Sequence, residues 1–163
     1  MKHLSVAAVL AIALLTTVPT LASPLSDLAL ASPLTAQGVT RELMVEIMTR
    51  HGLPARIDKD SKGNVIVKSR VAETNFDVYF FDCTDGGCRE IQFAAGWTNS
   101  TASPAKINEW NTQKRYLRVY SKPGKIIWAE QDVIVGRGTT ENIDEYLTTW
   151  ATVIAIFKTF MNL

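Results

Sequence analysis

The chain is poor in the groups that most chemistry requires. Its 163 residues include only two cysteines and two histidines. With His3 inside an expected leader, Cys83, Cys88 and the distant His51 fill at most three of the four positions a structural zinc takes, so no metal or other cofactor is expected. A nucleophile triad would have to recruit His51, and there is no Gly-x-Ser-x-Gly elbow, phosphate-cradling glycine loop or dinucleotide fingerprint. Charge of one sign is also scarce. With 17 Lys+Arg against 16 Asp+Glu, the chain lacks the basic excess that neutralising a nucleic-acid backbone demands. No segment repeats. The longest apolar run, within Leu4–Leu15, is too short to span a bilayer.

At 47% hydrophobic and 20% charged residues, the sequence is too apolar for disorder and of the size of one domain. Residues 1–22 read as a signal peptide. Lys2 and His3 precede the apolar stretch, and Thr20-Leu21-Ala22 places small residues before a cut between Ala22 and Ser23. Loss of Lys2 then leaves basic and acidic residues equal in number. The mature protein is expected in the bacterial periplasm or outside the cell, with no stable membrane anchor and no nucleic-acid partner. Residues 23–38, with Pro24, Pro33 and Gly38, read as a linker or mobile arm. Leu25, Leu28, Leu30 and Leu34 keep open a short docking helix there.

Residues 39–163 carry the periodicity of a single α+β domain. Val39, Leu43 and Ile47, joined by Met44 and Met48, predict a helix capped by Thr40 and ended by Gly52 and Pro54. Asp58–Asn64 is a polar turn between Ala55–Ile57 and Val65–Val67, without the acidic spacing of a calcium loop. Phe76, Val78 and Phe80 alternate with polar residues, as do Ile91, Phe93, Ala95 and Trp97, so each strand has one buried face. Ser103-Pro104 starts a second helix whose inward residues are Ile107, Trp110 and Asn111, ending near Arg115. Leu117–Tyr120 and Lys125–Val135 are strands around Ser121-Lys122-Pro123-Gly124. A long final helix, capped by Thr139 or Thr140, carries Ile143, Leu147, Trp150, Ile154, Phe157 and Met161, with Val153, Ile156 and Phe160 widening the stripe. Hairpins dominate, so the sheet is largely antiparallel and is packed by N-terminal, middle and C-terminal helices. Trp97, Trp110, Trp128 and Trp150 are expected to converge in the core. Glu130 and Asp132 share one face of a strand, and solvation at a sheet edge accounts for them better than acid–base work. His51 is expected to interact with the carbonyl end of its helix.

Cys83 and Cys88 flank a tight turn, Thr84-Asp85-Gly86-Gly87, which sets them opposite one another with Cα atoms about 4.5–5.5 Å apart. In an oxidising compartment that predicts a disulfide stapling the hairpin. The rival is a redox-active pair, though redox enzymes usually place Cys-X-X-Cys at a helix start. Asn108 and Asn111, three apart on one helix, point either at a neighbouring strand or at a partner.

Asp82-Cys83, Gly87-Cys88, Ile91–Trp97, Ile107-Asn108-Glu109-Trp110-Asn111 and Gly136–Thr140 resemble the YbjN-domain family, described as bacterial sensory transduction regulators. The resemblance covers roughly residues 39–161. It implies a fold similar to type III secretion chaperones, an α+β sandwich that binds protein clients and often dimerises, and it brings no catalytic residues. The turn at Ser121–Gly124 lacks the acidic residue of the family pattern, so no Asp-dependent contact is carried over. The resulting expectation is a non-enzymatic, exported protein-binding or chaperone-like regulatory module, with a client that the sequence does not name and room for a homodimer. Trp97, Asn108, Trp110 and Asn111 are its candidate interaction residues, and it would engage protein through its sheet or final helix. The alternatives are a weak thiol–disulfide enzyme using Cys83 and Cys88, or a structural envelope protein.

Overall fold

Thr40 opens the first helix by accepting a hydrogen bond from the Leu43 amide at 3.1 Å, which satisfies one of the amides that a helix start leaves bare. A computed structural model describes residues 38–98 and 100–163. The expected signal peptide and all of the expected arm but Gly38 lie outside the described residues. In chain order the elements are α1 (Arg41–Arg50), β1 (Ala55–Lys59), β2 (Val65–Val71), β3 (Thr74–Thr84), β4 (Gly87–Trp97), α2 (Pro104–Gln113), β5 (Arg118–Lys122), β6 (Ile126–Ile134) and α3 (Thr140–Met161). This is the predicted order of helix, four strands, helix, two strands, helix. All strand pairs are antiparallel, in the spatial order β1-β2-β3-β4-β6-β5.

Alternation along the strands sends one set of side chains to a single core. Val67, Phe76, Val78, Ile91, Phe93, Ala95, Ile127, Ala129 and Val133 meet the inward faces of the three helices. α1 packs on β1, β2 and α3, and α2 packs on β5. The 22 residues of α3 cross the sheet with Ile143, Leu147, Trp150, Ile154, Phe157 and Met161 buried. The Trp150 ring lies 5.5 Å from Phe76 and 5.6 Å from Phe93. No helix among the described residues is long and apolar enough to cross a membrane.

Several expectations need correction. Val39 is not helical: it precedes the cap and forms an isolated β-bridge with Cys88. Asp58 and Lys59 belong to β1, because the Asp60 carboxylate closes the turn itself by accepting from the Lys62 and Asn64 amides and from Asn64 Nδ2, each at 2.8 Å. α2 ends at Gln113, where the next residue turns extended. Only three tryptophans join the core. Trp97 and Trp110 meet at Phe157, with ring centroids at 5.2 and 5.0 Å, whereas Trp128 has the opposite parity on β6 and projects from the other side of the sheet.

Candidate functional site

β6 is not at a sheet edge. The crossover through α2 puts β5 outermost and seats β6 between β4 and β5, so the expected edge solvation fails for Glu130; Asp132 lies beyond the β5 pairing, which ends at Arg118 and Glu130, and is exposed as expected. Glu130 is only 7% exposed. Its two oxygens accept from the Arg118 guanidinium and, at 2.6 Å, from the Tyr120 hydroxyl. Asp132 accepts from Gln92 Nε2 at 2.6 Å and lies 3.8 Å from Arg118. A carboxylate withdrawn from water persists only with such partners.

These groups belong to the sheet face opposite the three helices. The register aligns Asp77, Ala94, Glu130 and Arg118 across β3, β4, β6 and β5, and Tyr79, Gln92 and Asp132 beside them. Trp128 lies opposite Gly96, where an added Cβ would come within 3.0 Å of the indole. Glycine therefore lets the ring lie flat against the sheet. Above the ring sits the Lys122 ammonium, 4.1 Å from its centroid, and 5.3 Å from that of Tyr120, a cation–π arrangement. The Asp60–Asn64 turn leans over this surface and encloses a groove of about 340 Å³ walled by Tyr79, Phe81, Trp128, Gln92 and Lys122.

Burial perturbs the titrating groups here. It raises the Asp77 carboxyl above the ordinary value, with Lys68 and Tyr79 opposing the shift, and it raises Tyr79, with Asp77 adding to the effect. The Tyr120 hydroxyl is pushed up to about 12, first by burial, then by its hydrogen bond to Glu130 and that carboxylate's charge. Folding thus favours the protonated phenol. Its stabilising contribution is complete below the unfolded tyrosine value of about 10 and is lost as pH rises through about 12. In a spectrophotometric titration, Tyr120→Phe should remove an ionisation step near pH 12. A difference curve centred near pH 10 would contradict the Tyr120–Glu130 bond.

The sequence-derived candidates fall in three places. Trp97 and Trp110 are core residues on either side of Phe157. Asn111 and Asn108 separate in role. The Asn111 amide donates to the Val119 carbonyl at 2.8 Å and accepts from the Val119 amide at 3.0 Å, so it serves as a substitute strand along the outer edge of β5. Asn108 is exposed, and its backbone carbonyl accepts from the Thr112 hydroxyl at 2.9 Å. Cys83 and Cys88 sit at the far end of the β3–β4 hairpin with sulfurs 2.13 Å apart and Cα atoms 4.0 Å apart, closer than the expected spacing. Cys83 is exposed. Cys88 is 1% exposed and exchanges two backbone hydrogen bonds of 2.9 Å with Val39. His51 does not serve its own helix with its ring. Its backbone amide bonds the last turn, while Nε2 meets Asp144 Oδ1 of α3 at 2.7 Å.

A second surface lies on the helix side. Ala155, Ile156, Thr159 and Phe160 of α3, with Lys114 beyond α2, line a shallow, mainly apolar depression of about 490 Å³. Phe160 is held there by Trp110 at 5.4 Å and by the Lys106 ammonium at 5.1 Å. Ile156 touches solvent with half of its surface. Sequence reasoning identified this stripe but passed over Trp128, Tyr79 and Phe81 as site residues. Their signal was parity: Trp128 alternates in step with Glu130 and Asp132, and Tyr79 and Phe81 alternate against Val78 and Phe80.

Residues 40–161 match the model of the YbjN family, described as a putative bacterial sensory transduction regulator. No curated protein matches the chain.

Proposed function

The chain belongs to the YbjN family, and we propose that it is an exported, non-enzymatic regulatory module that binds a protein partner on the outer face of α3. The family description supports a regulatory or binding role at that general level. The observation that carries the finer reading is Ile156, 50% exposed. The inward residues of α3 already form a complete buried stripe, so Ile156 adds nothing to the core. It joins Ala155 and Phe160 in an apolar depression beside Lys114. A surplus apolar patch with a polar rim is the usual form of a protein-binding surface.

Ile156→Glu should leave folding stability within about 0.5 kcal/mol of the parent, as an exposed substitution does, and should abolish partner binding. A photo-crosslinking side chain at position 156 should capture a discrete protein in cells, whereas the same group at exposed Glu145 should not. An adduct of twice the chain mass would assign the surface to self-association. Equal capture at both positions, or none, would remove α3 as the binding face. Export is tested separately: the N-terminal sequence of the exported protein should begin at Ser23, and a retained Met1 would remove that part of the reading.

A further inference from the structure

The groove on the opposite sheet face has a different chemistry from the α3 depression, and its charged groups indicate what it takes. Its two carboxylates are already saturated. Glu130 accepts from Arg118 and Tyr120, and Asp60 accepts from Lys62 N, Asn64 N and Asn64 Nδ2. The Gln92 amide donates to Asp132. Its two lysines are bound less closely: the Lys62 charge acts on Asp60 without a contact ion pair. Among the described residues neither Lys62 nor Lys122 forms a salt bridge, and Lys122 rests over aromatic rings instead. The same groove is lined by apolar surface from Phe81, which is 46% exposed, and from Tyr79. The enclosed volume of about 340 Å³ is in the range of small-molecule sites.

From these observations we infer that the groove binds a small organic anion with a planar apolar body, of the arylcarboxylate class. The anionic group pairs with Lys62 and Lys122 at the rim, and the ring rests on Tyr79 and Phe81. A cationic ligand would find every carboxylate engaged and two ammonium groups opposing it. The inference does not rest on the protein-binding reading, since the two surfaces lie on opposite sides of the sheet.

The test uses the full mature chain with 2-naphthoate as probe, and 2-naphthamide and 2-naphthylmethylammonium as its neutral and cationic counterparts. Calorimetry should show saturable binding of the naphthoate, with both counterparts about tenfold weaker or worse, the scale of one lost charge-assisted contact. The double variant Lys62→Gln, Lys122→Gln should lose the same factor for naphthoate and little for the amide. Amide and indole resonances of Tyr79, Gln92 and Trp128 should shift in nitrogen–proton spectra. The inference fails if naphthoate does not saturate, if acid and amide bind alike, if the ammonium compound binds tightest, or if the double variant binds naphthoate as the parent does. It also fails if the shifts fall on Ile156 and Phe160. The α3 reading stands or falls separately, because Ile156→Glu leaves this groove untouched.

Discussion

Phe157→Ala should cost about 4 kcal/mol of unfolding free energy. Phe157 is fully buried and is the ring on which two tryptophans from different elements converge, Trp97 from β4 and Trp110 from α2. Packing matters more than usual at this point. Among the described residues the buried Trp110 indole nitrogen has no hydrogen-bond partner, so contact with its neighbours is what fixes the ring. Removing Phe157 leaves a void between three elements that cannot collapse together without moving α2, and α2 also carries the Asn111 clamp on β5. Urea unfolding should show a lower midpoint with an unchanged slope. Phe157→Leu, which refills much of the volume, should recover more than half of the loss. A loss below about 2 kcal/mol for the alanine variant would mean that the three rings pack independently.

The stripe that contains Phe157 was legible because helical periodicity is local: Ile143, Leu147, Trp150, Ile154 and Phe157 recur along one continuous segment. The order of elements and the antiparallel hairpins were legible for the same reason. Strand order was not. Nothing within Ile126–Ile134 records that β4 will pair with β6 rather than with β5, and that one crossover converts Glu130 from a solvated edge residue into a buried anion. The groove escaped notice by the same route. Its walls come from four strands, and only their pairing brings Tyr79 of β3, Gln92 of β4, Trp128 of β6 and Lys122 of β5 onto one surface. His51 shows the limit at smaller scale. Its place at the end of α1 could be read from Gly52 and Pro54, but its partner Asp144 lies 93 positions later. Asn111 lies between these cases: helical spacing put it on the inner face, and only the fold identified the strand edge it protects.

Gly38 marks where the legible signal ended too early, and it yields the second large effect. Sequence composition assigns it to the tail of a linker, yet it is buried and its φ is +94°. A Cβ there would stand 2.0 Å from the Cys88 carbonyl oxygen and 2.6 Å from its carbon. Backbone atoms on a central strand cannot yield as a flexible side-chain tip would. Gly38→Ala should therefore break the Val39–Cys88 bridge, with its two backbone hydrogen bonds, and should cost about 3 kcal/mol, from positive-φ strain together with the lost bonds. Gly52→Ala separates the two contributions. It too has a positive φ, +70°, but among the described residues an added Cβ would meet nothing within 4 Å, so it should cost only about 1 kcal/mol. Hydrogen exchange locates the damage: in Gly38→Ala the Val39 and Cys88 amides should lose protection, and those of β2 and β3 should keep theirs. Equal costs at the two glycines would show that the approach of Gly38 to Cys88 adds nothing beyond backbone strain. A larger cost at Gly38 means that the disulfide-bearing hairpin and the start of α1 are held together at a contact where only glycine fits.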